Sequence, residues 1–124
     1  MANRGLIKSF TAESAVAAYR IVKHGAADTV VAQATAVTDS LLGVTSQLAG
    51  VINTRVDVVL GDSTDVEYGA TVTRGDWLTT DSVGRAVTAA PAAGVNNNII
   101  GKALLSGVVG DIGLVLLAPG RIQG

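Results

Sequence analysis

The sequence predicts an all-β fold, a small β-barrel or sandwich with an internal duplication, an extended N-terminal arm and at most one short helix. Three observations carry this expectation. Apolar runs such as Val56 to Leu60 and Leu114 to Ala118 have the length of strands. Turn signals rich in glycine and aspartate, including Gly61-Asp62-Ser63, Arg74-Gly75-Asp76 and Asp81-Ser82-Val83-Gly84, separate short β-rich runs. The stretch Thr71 to Val87, which holds the single tryptophan, Trp77, has a fainter echo earlier in the chain.

A chain of 124 residues suits one domain with a modest core. Residues 1–14 lack a helical period and read as the extended arm. Residues 15–119 read as a single β domain, with pseudo-repeats over 15–62 and 70–119. From Ala15 the good helix formers permit one short helix, but Tyr19, Ile21 and Val22 favour a strand. His24 to Asp28 is a turn-like gap before Thr29-Val30-Val31. Leu41 to Val44 is a third apolar run, and Arg55 to Leu60 alternates before turning fully apolar, as a strand entering a core does.

The second half can be laid on the first. Val16 falls on Val72, Ile21-Val22 on Trp77-Leu78, Leu42-Gly43 on Ile100-Gly101, and Val56 to Leu60 on Ile112 to Leu116. Each half is too small to close its own core, so the unit is expected to work as a pair. In the better-preserved copy, Trp77 to Thr80 and Arg85 to Thr88 form a hairpin across the Asp81–Gly84 turn. Ala89 to Asn98 reads as a long exposed connection. Residues 120–124 read as a tail that leaves the sheet at Pro119.

Hydrophobic residues make up 48% of the chain and charged residues only 15%, well below the roughly 25% of an ordinary soluble domain. No apolar run reaches the ~18 residues of a membrane helix, so burial against other protein subunits is the expected use of the uncharged surface. Nine basic and ten acidic residues leave a formal charge of −1. That balance argues against a nucleic-acid module, and 3% aromatic residues leave no stacking platform. Without cysteine there is no disulfide, zinc-thiolate or thiol nucleophile. The N-terminus lacks the apolar stretch of a signal peptide, so the protein is expected to stay in the cytoplasm where it is made.

Catalytic patterns are weak. Gly61-Asp62-Ser63 is similar to an esterase nucleophile block, but the single histidine, His24, lies far upstream of Ser63. Gly94 to Lys102 fails as a phosphate loop, with wrong glycine spacing and Ala103 where Ser or Thr is needed. Arg74-Gly75-Asp76 spells an adhesion tripeptide and reads as a tight turn. Trp77 is most simply a core anchor; an interface hot spot is the alternative. No cofactor and no metal site is expected.

Gly69 to Asp81, Gly84-Arg85-Ala86-Val87, the Ala90–Gly94 loop, Ile100-Gly101, Gly110-Asp111 and Val115 to Gly120, in that order, resemble small capsid cement, or decoration, proteins of tailed bacteriophages. The similarity extends to Asn3–Lys8 and Tyr19–Lys23, while Trp77 departs from the smaller or proline-like residue of that family. The resemblance implies a β-clip or β-tulip-like homotrimer on the outer face of a phage head, assembled in the host bacterial cytoplasm. Its partners would be the major capsid protein and its own copies, with no catalytic residues. Candidate contacts are Asn3, Arg4 and Leu6 of the arm, Arg74 and Trp77 of the hairpin, and Arg121 and Ile122 of the tail. The alternative is another virion β-module, such as a head-fibre base or a tail-associated adaptor; a small hydrolase using Ser63 and His24 is a third reading.

Overall fold

The computed structural model describes residues 6–46 and 49–124, and among them there are ten strands and no helix. The first five are β1 (Ile7–Ala12), β2 (Ile21–His24), β3 (Val30–Gln33), β4 (Leu41–Thr45) and β5 (Arg55–Val59). They close into a barrel in the order β1-β3-β2-β4-β5. The second five are β6 (Ser63–Glu67), β7 (Trp77–Thr80), β8 (Ala86–Thr88), β9 (Asn96–Ala103) and β10 (Ile112–Gln123). They form a sheet in the order β6-β10-β9-β7-β8. Read cyclically, the two orders are the same.

The duplication extends to single hydrogen bonds. Ile21 pairs with Val44 and Val22 with Gly43; Trp77 pairs with Lys102 and Leu78 with Gly101. Val16 bridges Gly50 as Val72 bridges Gly107, each pair exchanging both backbone bonds. The Ala12 amide donates to Thr54 O, and the Tyr68 amide to Asp111 O. The Leu-Gly and Ile-Gly phrases have a steric cause. A Cβ on Gly43 would run into the carbonyl oxygen of Val59, and one on Gly101 into that of Leu116. In the last strand the sequence register is off by one. Phe10 faces Val56 and Val66 faces Gly113, so Val56 corresponds to Gly113 and not to Ile112.

Several boundaries change for physical reasons. Ile7–Ala12 is extended, and it forms part of the barrel wall as β1, paired with β5 and β3 and equivalent to β6. The stretch from Ala15 turns into β2 with no helix, because its amides bond across the barrel, as in Val16 N to Gly50 O. Pro119 does not end the sheet. It sits in a register shift between Leu117 and Gly120, after which Arg121, Ile122 and Gln123 pair with Asn98, Asn97 and Asn96. The connection from Ala89 is correspondingly shorter, and Gly124 ties it down by exchanging backbone bonds with Gly94 and Val95.

The two repeats differ at one seam. In the first, β1 and β3 lie parallel through Thr11–Val30 and Ala12–Val31, and the Thr11 amide donates to Thr29 O. In the second, a single parallel bridge, Tyr68–Ala86, joins the corresponding edges. Beside it the chain Tyr19–Ile21 of the first repeat is wedged in: the Glu67 amide donates to Tyr19 O at 3.0 Å, and the Ile21 amide to Gly84 O at 2.7 Å. The Arg20 guanidinium follows, reaching Val83 O at 2.9 Å and the Glu67 carboxylate at 3.2 Å.

This wedge makes one of the two cores. Phe10, Ala12, Val16, Val22, Val31, Val56 and Val58 fill the first barrel from its own strands. The second core combines Val66, Tyr68, Leu78, Ile100 and Val115 of the second repeat with Ile21, Ala34, Leu41 and Val44, which face outward from the first. The halves are therefore packed as one body through buried apolar area, the dominant favourable term in such an association.

Candidate interaction surface

The turns that present the surface are held by short carboxylate bonds. Asp76 accepts from the Thr73 amide at 3.0 Å and from the Thr88 hydroxyl at 2.9 Å, and Gly75 takes a φ of 95°. The carboxylate of Arg74-Gly75-Asp76 is thus spent on its own turn and on Thr88 of β8. Asp81 accepts from the Val83 and Arg85 amides at 2.9 and 2.8 Å and from Arg85 Nε at 2.9 Å, closing the turn at Gly84 with φ 78°.

Trp77 is not a core anchor. It lies on the outer face of β7 with 42% of its surface exposed. Its register neighbour Lys102 places Nζ 5.4 Å from the ring centroid, within cation–π range. Leu116, paired to Lys102 from the other side, is 44% exposed. The corresponding residues of the first repeat are Ile21, Val44 and Val59, all fully buried.

A second pair of apolar features comes from equivalent turns. Gly50-Val51-Ile52-Asn53-Thr54 and Gly107-Val108-Val109-Gly110-Asp111 each carry two exposed aliphatic side chains at the tip. Each is closed by the same bond, Thr54 N to Val51 O and Asp111 N to Val108 O, with a left-handed residue at Asn53 or Gly110. Sequence reasoning passed over both. The signal was present as two aliphatic pairs, each behind a glycine, where a turn would ordinarily be polar.

The residues singled out from the sequence do not form one site. Leu6 is exposed ahead of β1, and Arg74 is exposed beside Trp77. Arg121 is exposed, its Nε donating to Asn98 Oδ1 at 3.2 Å, and Ile122 is half-buried. Their β9 partners, Asn98 and Asn97, lie about 13 Å or more along the strand from Lys102, so Arg121 and Trp77 sit at opposite ends of the sheet. Asn3 and Arg4 lie outside the described residues. His24 is not in the Gly-Ala loop but ends β2, paired with Val31, and is exposed. Among the described residues no group of three or more His, Asp or Glu side chains could hold a metal, and no helix is long and apolar enough to cross a membrane.

Two titrating groups are shifted. Burial pushes the Tyr68 phenol up, and its hydroxyl donates to Leu105 O at 2.6 Å. For Asp39, burial works to raise the pKa, but the Thr35 and Ala36 amides and Lys23 together outweigh it and hold the carboxyl below its ordinary value.

No protein-family model matches the chain, and no curated protein matches it. Among solved structures it is similar to the N base of the head fibre protein gp8.5 of bacteriophage phi29. The identity is 19%, the match covers 96% of this chain and 98% of that one, and the TM-score is 0.67. This corrects the resemblance to capsid cement or decoration proteins. Its phrases were turn-and-strand pairs whose Gly and Asp positions any small duplicated barrel needs, so they could not separate one family from another. What the chain shares from end to end with a solved protein is the fold of a head-fibre base.

Proposed function

We propose that the chain is a structural module of a bacteriophage particle, a head-fibre-base type of duplicated β fold that seats on the head and supports a projecting part. The observation that carries this reading is the likeness to the phi29 head-fibre base over nearly the whole of both chains. Low charge and turn-held apolar tips support it. In this reading the major capsid protein is the partner, and the protein works without cofactor or catalysis. The tips Val51-Ile52 and Val108-Val109 are the capsid-facing contacts. Two equivalent contacts on one rigid body suit a shell of repeated subunits, because the second forms at high effective concentration.

Gold-labelled antibody on purified particles tests the placement. Label is expected on the head, at the feet of projecting appendages. Label on the tail, or none on particles, would sink the proposal. Heads lacking the protein should bind it in a sedimentation assay, and Val51→Asp combined with Val108→Asp should abolish that binding while leaving thermal stability nearly unchanged, since both side chains are solvent-exposed.

A further inference from the structure

The strongest unexplained feature is that one face occurs twice with opposite fates. In the first repeat Ile21, Val44 and Val59 are buried, and the Ile21 end of that face is covered by the second repeat. In the second repeat the same positions hold Trp77, Lys102 and Leu116, and all three are exposed. Among the described residues no third repeat lies on them. An indole and a leucine in that register are a large apolar surface to leave in water, and tryptophan is enriched where a partner removes it.

The intrachain packing also identifies what lies opposite. The Arg20–Ile21 edge meets Val83 and Gly84 of the second repeat. By the registers of β3 and β8, the first-repeat counterparts of Val83 and Gly84 are Asp28 and Thr29. A cavity of about 350 Å³ opens there, lined in part by Phe10, Ala26, Ala27, Asp28, Thr29 and Val30. Small side chains leave the room, and Asp28 offers a negative charge toward an incoming Lys102.

We propose that the Trp77 face of one copy seats on the Phe10–Val30 cavity of a second copy, continuing between chains the packing that joins the two repeats within one. The contact differs from its intrachain model in one respect. The β1–β3 seam is already closed by the Thr11 amide on Thr29 O, so the indole lies over the seam and does not open it as Tyr19–Ile21 opens the other. The interface is heterologous, with a different surface on each side, and it generates a ring if the rotation closes. It does not depend on the head-fibre reading, and its test uses the purified protein alone.

Sedimentation velocity on the purified full chain is expected to show an oligomer. Trp77→Glu removes one surface and Ala27→Arg the other, so each variant alone should be a folded monomer, with association weakened about thirtyfold or more. Mixed in equal amounts they should form a dimer and nothing larger, because one intact face then meets one intact cavity. Lys102→Glu and Asp28→Lys serve as a second pair should either first variant fail to fold. A wild-type chain that stays monomeric near 1 mM would overturn the proposal, as would either variant assembling like the wild type. Two folded variants that fail to pair would overturn it equally. Loss of this pairing with head binding intact would leave the head-fibre reading standing, and the reverse result would leave the self-association standing.

Discussion

The two repeats share a ladder and differ in what fills it. At the position where β1 ends, the first repeat has Ala12 and the second Tyr68, both fully buried. On the facing strand the sizes reverse: Val56 in the first, Gly113 in the second. A Cβ on Gly113 would run into the Tyr68 ring. The backbone bonds around the two sites are the same, so the total volume is kept while its assignment to strands is exchanged. A second difference lies in the backbone. Left-handed residues Tyr19, Thr29 and Asn53 of the first repeat correspond in the strand registers to Gly75, Gly84 and Gly110 of the second. Turn geometry is thus kept even where a side chain makes it costly, at about 1–2 kcal/mol for an ordinary residue. The comparison teaches that hydrogen-bond register and turn handedness define this unit, and that the filling is negotiable.

The largest effect should come from exchanging the fillings. Tyr68→Ala is expected to lower the unfolding free energy by about 3–5 kcal/mol, the cost of emptying a buried aromatic site and losing the bond to Leu105 O. Gly113→Val alone should be severely destabilising through the clash. The double variant, which copies the first repeat, should recover at least ~1 kcal/mol relative to the sum of the two, as read by urea unfolding. Strict additivity would show that the two positions do not share one volume.

Next in size is the exchange of turn residues. Gly84→Thr would impose a Cβ at 2.8 Å from the Gln33 side chain and 3.1 Å from the Ile21 carbonyl oxygen, on a left-handed backbone that the β-branched residue disfavours. A loss of about 2–3 kcal/mol is expected from strain and overpacking together. The reverse change, Thr29→Gly, should stabilise by up to ~1 kcal/mol, because relief of strain exceeds the entropy that glycine adds to the unfolded chain. Asn53→Gly should move the melting temperature little, since asparagine tolerates the left-handed region. Equal responses at Thr29 and Asn53 would mean that strain is not what distinguishes the two turns.

The smallest effect concerns pH. Asp39 accepts from the Thr35 and Ala36 amides at 2.9 and 3.0 Å and pairs with Lys23 at 3.5 Å. Its carboxyl is held below the ordinary value, so its contribution is present above that value and is lost as the pH falls through the lower, folded one. The second repeat has Asn97 in that register, which does not titrate. Asp39→Asn should therefore flatten the acid limb of the melting-temperature profile between roughly pH 2 and 5. An unchanged acid limb would assign the acid sensitivity to other carboxylates.

Much of the fold was legible because β-structure writes itself locally. Short β-branched runs, Asp and Gly at turn corners, and the Leu-Gly and Ile-Gly phrases identified the strands, the turns and the duplication. Pro119 misled, since a proline without an amide is an ordinary reason to end a strand, and here a bulge takes it up. The last-strand register misled because a run such as Val56 to Leu60 matches another apolar run equally well one residue over. The interaction surface was less legible. Trp77 and Ile21 occupy the same register, and nothing along the chain says which of the two is covered.

By itself, the sequence determined that this is an all-β chain built twice from one unit, with turns whose handedness glycine and aspartate secure. Only the tertiary structure decided that the first unit closes while the second is held open by Tyr19–Ile21, and that one copy of a common face is core while the other is surface. The reason is physical: strand and turn preferences act over a few residues, whereas burial depends on what packs from elsewhere. In a ladder of period two, that choice turns Ile21 inward against a neighbour and leaves Trp77 facing water.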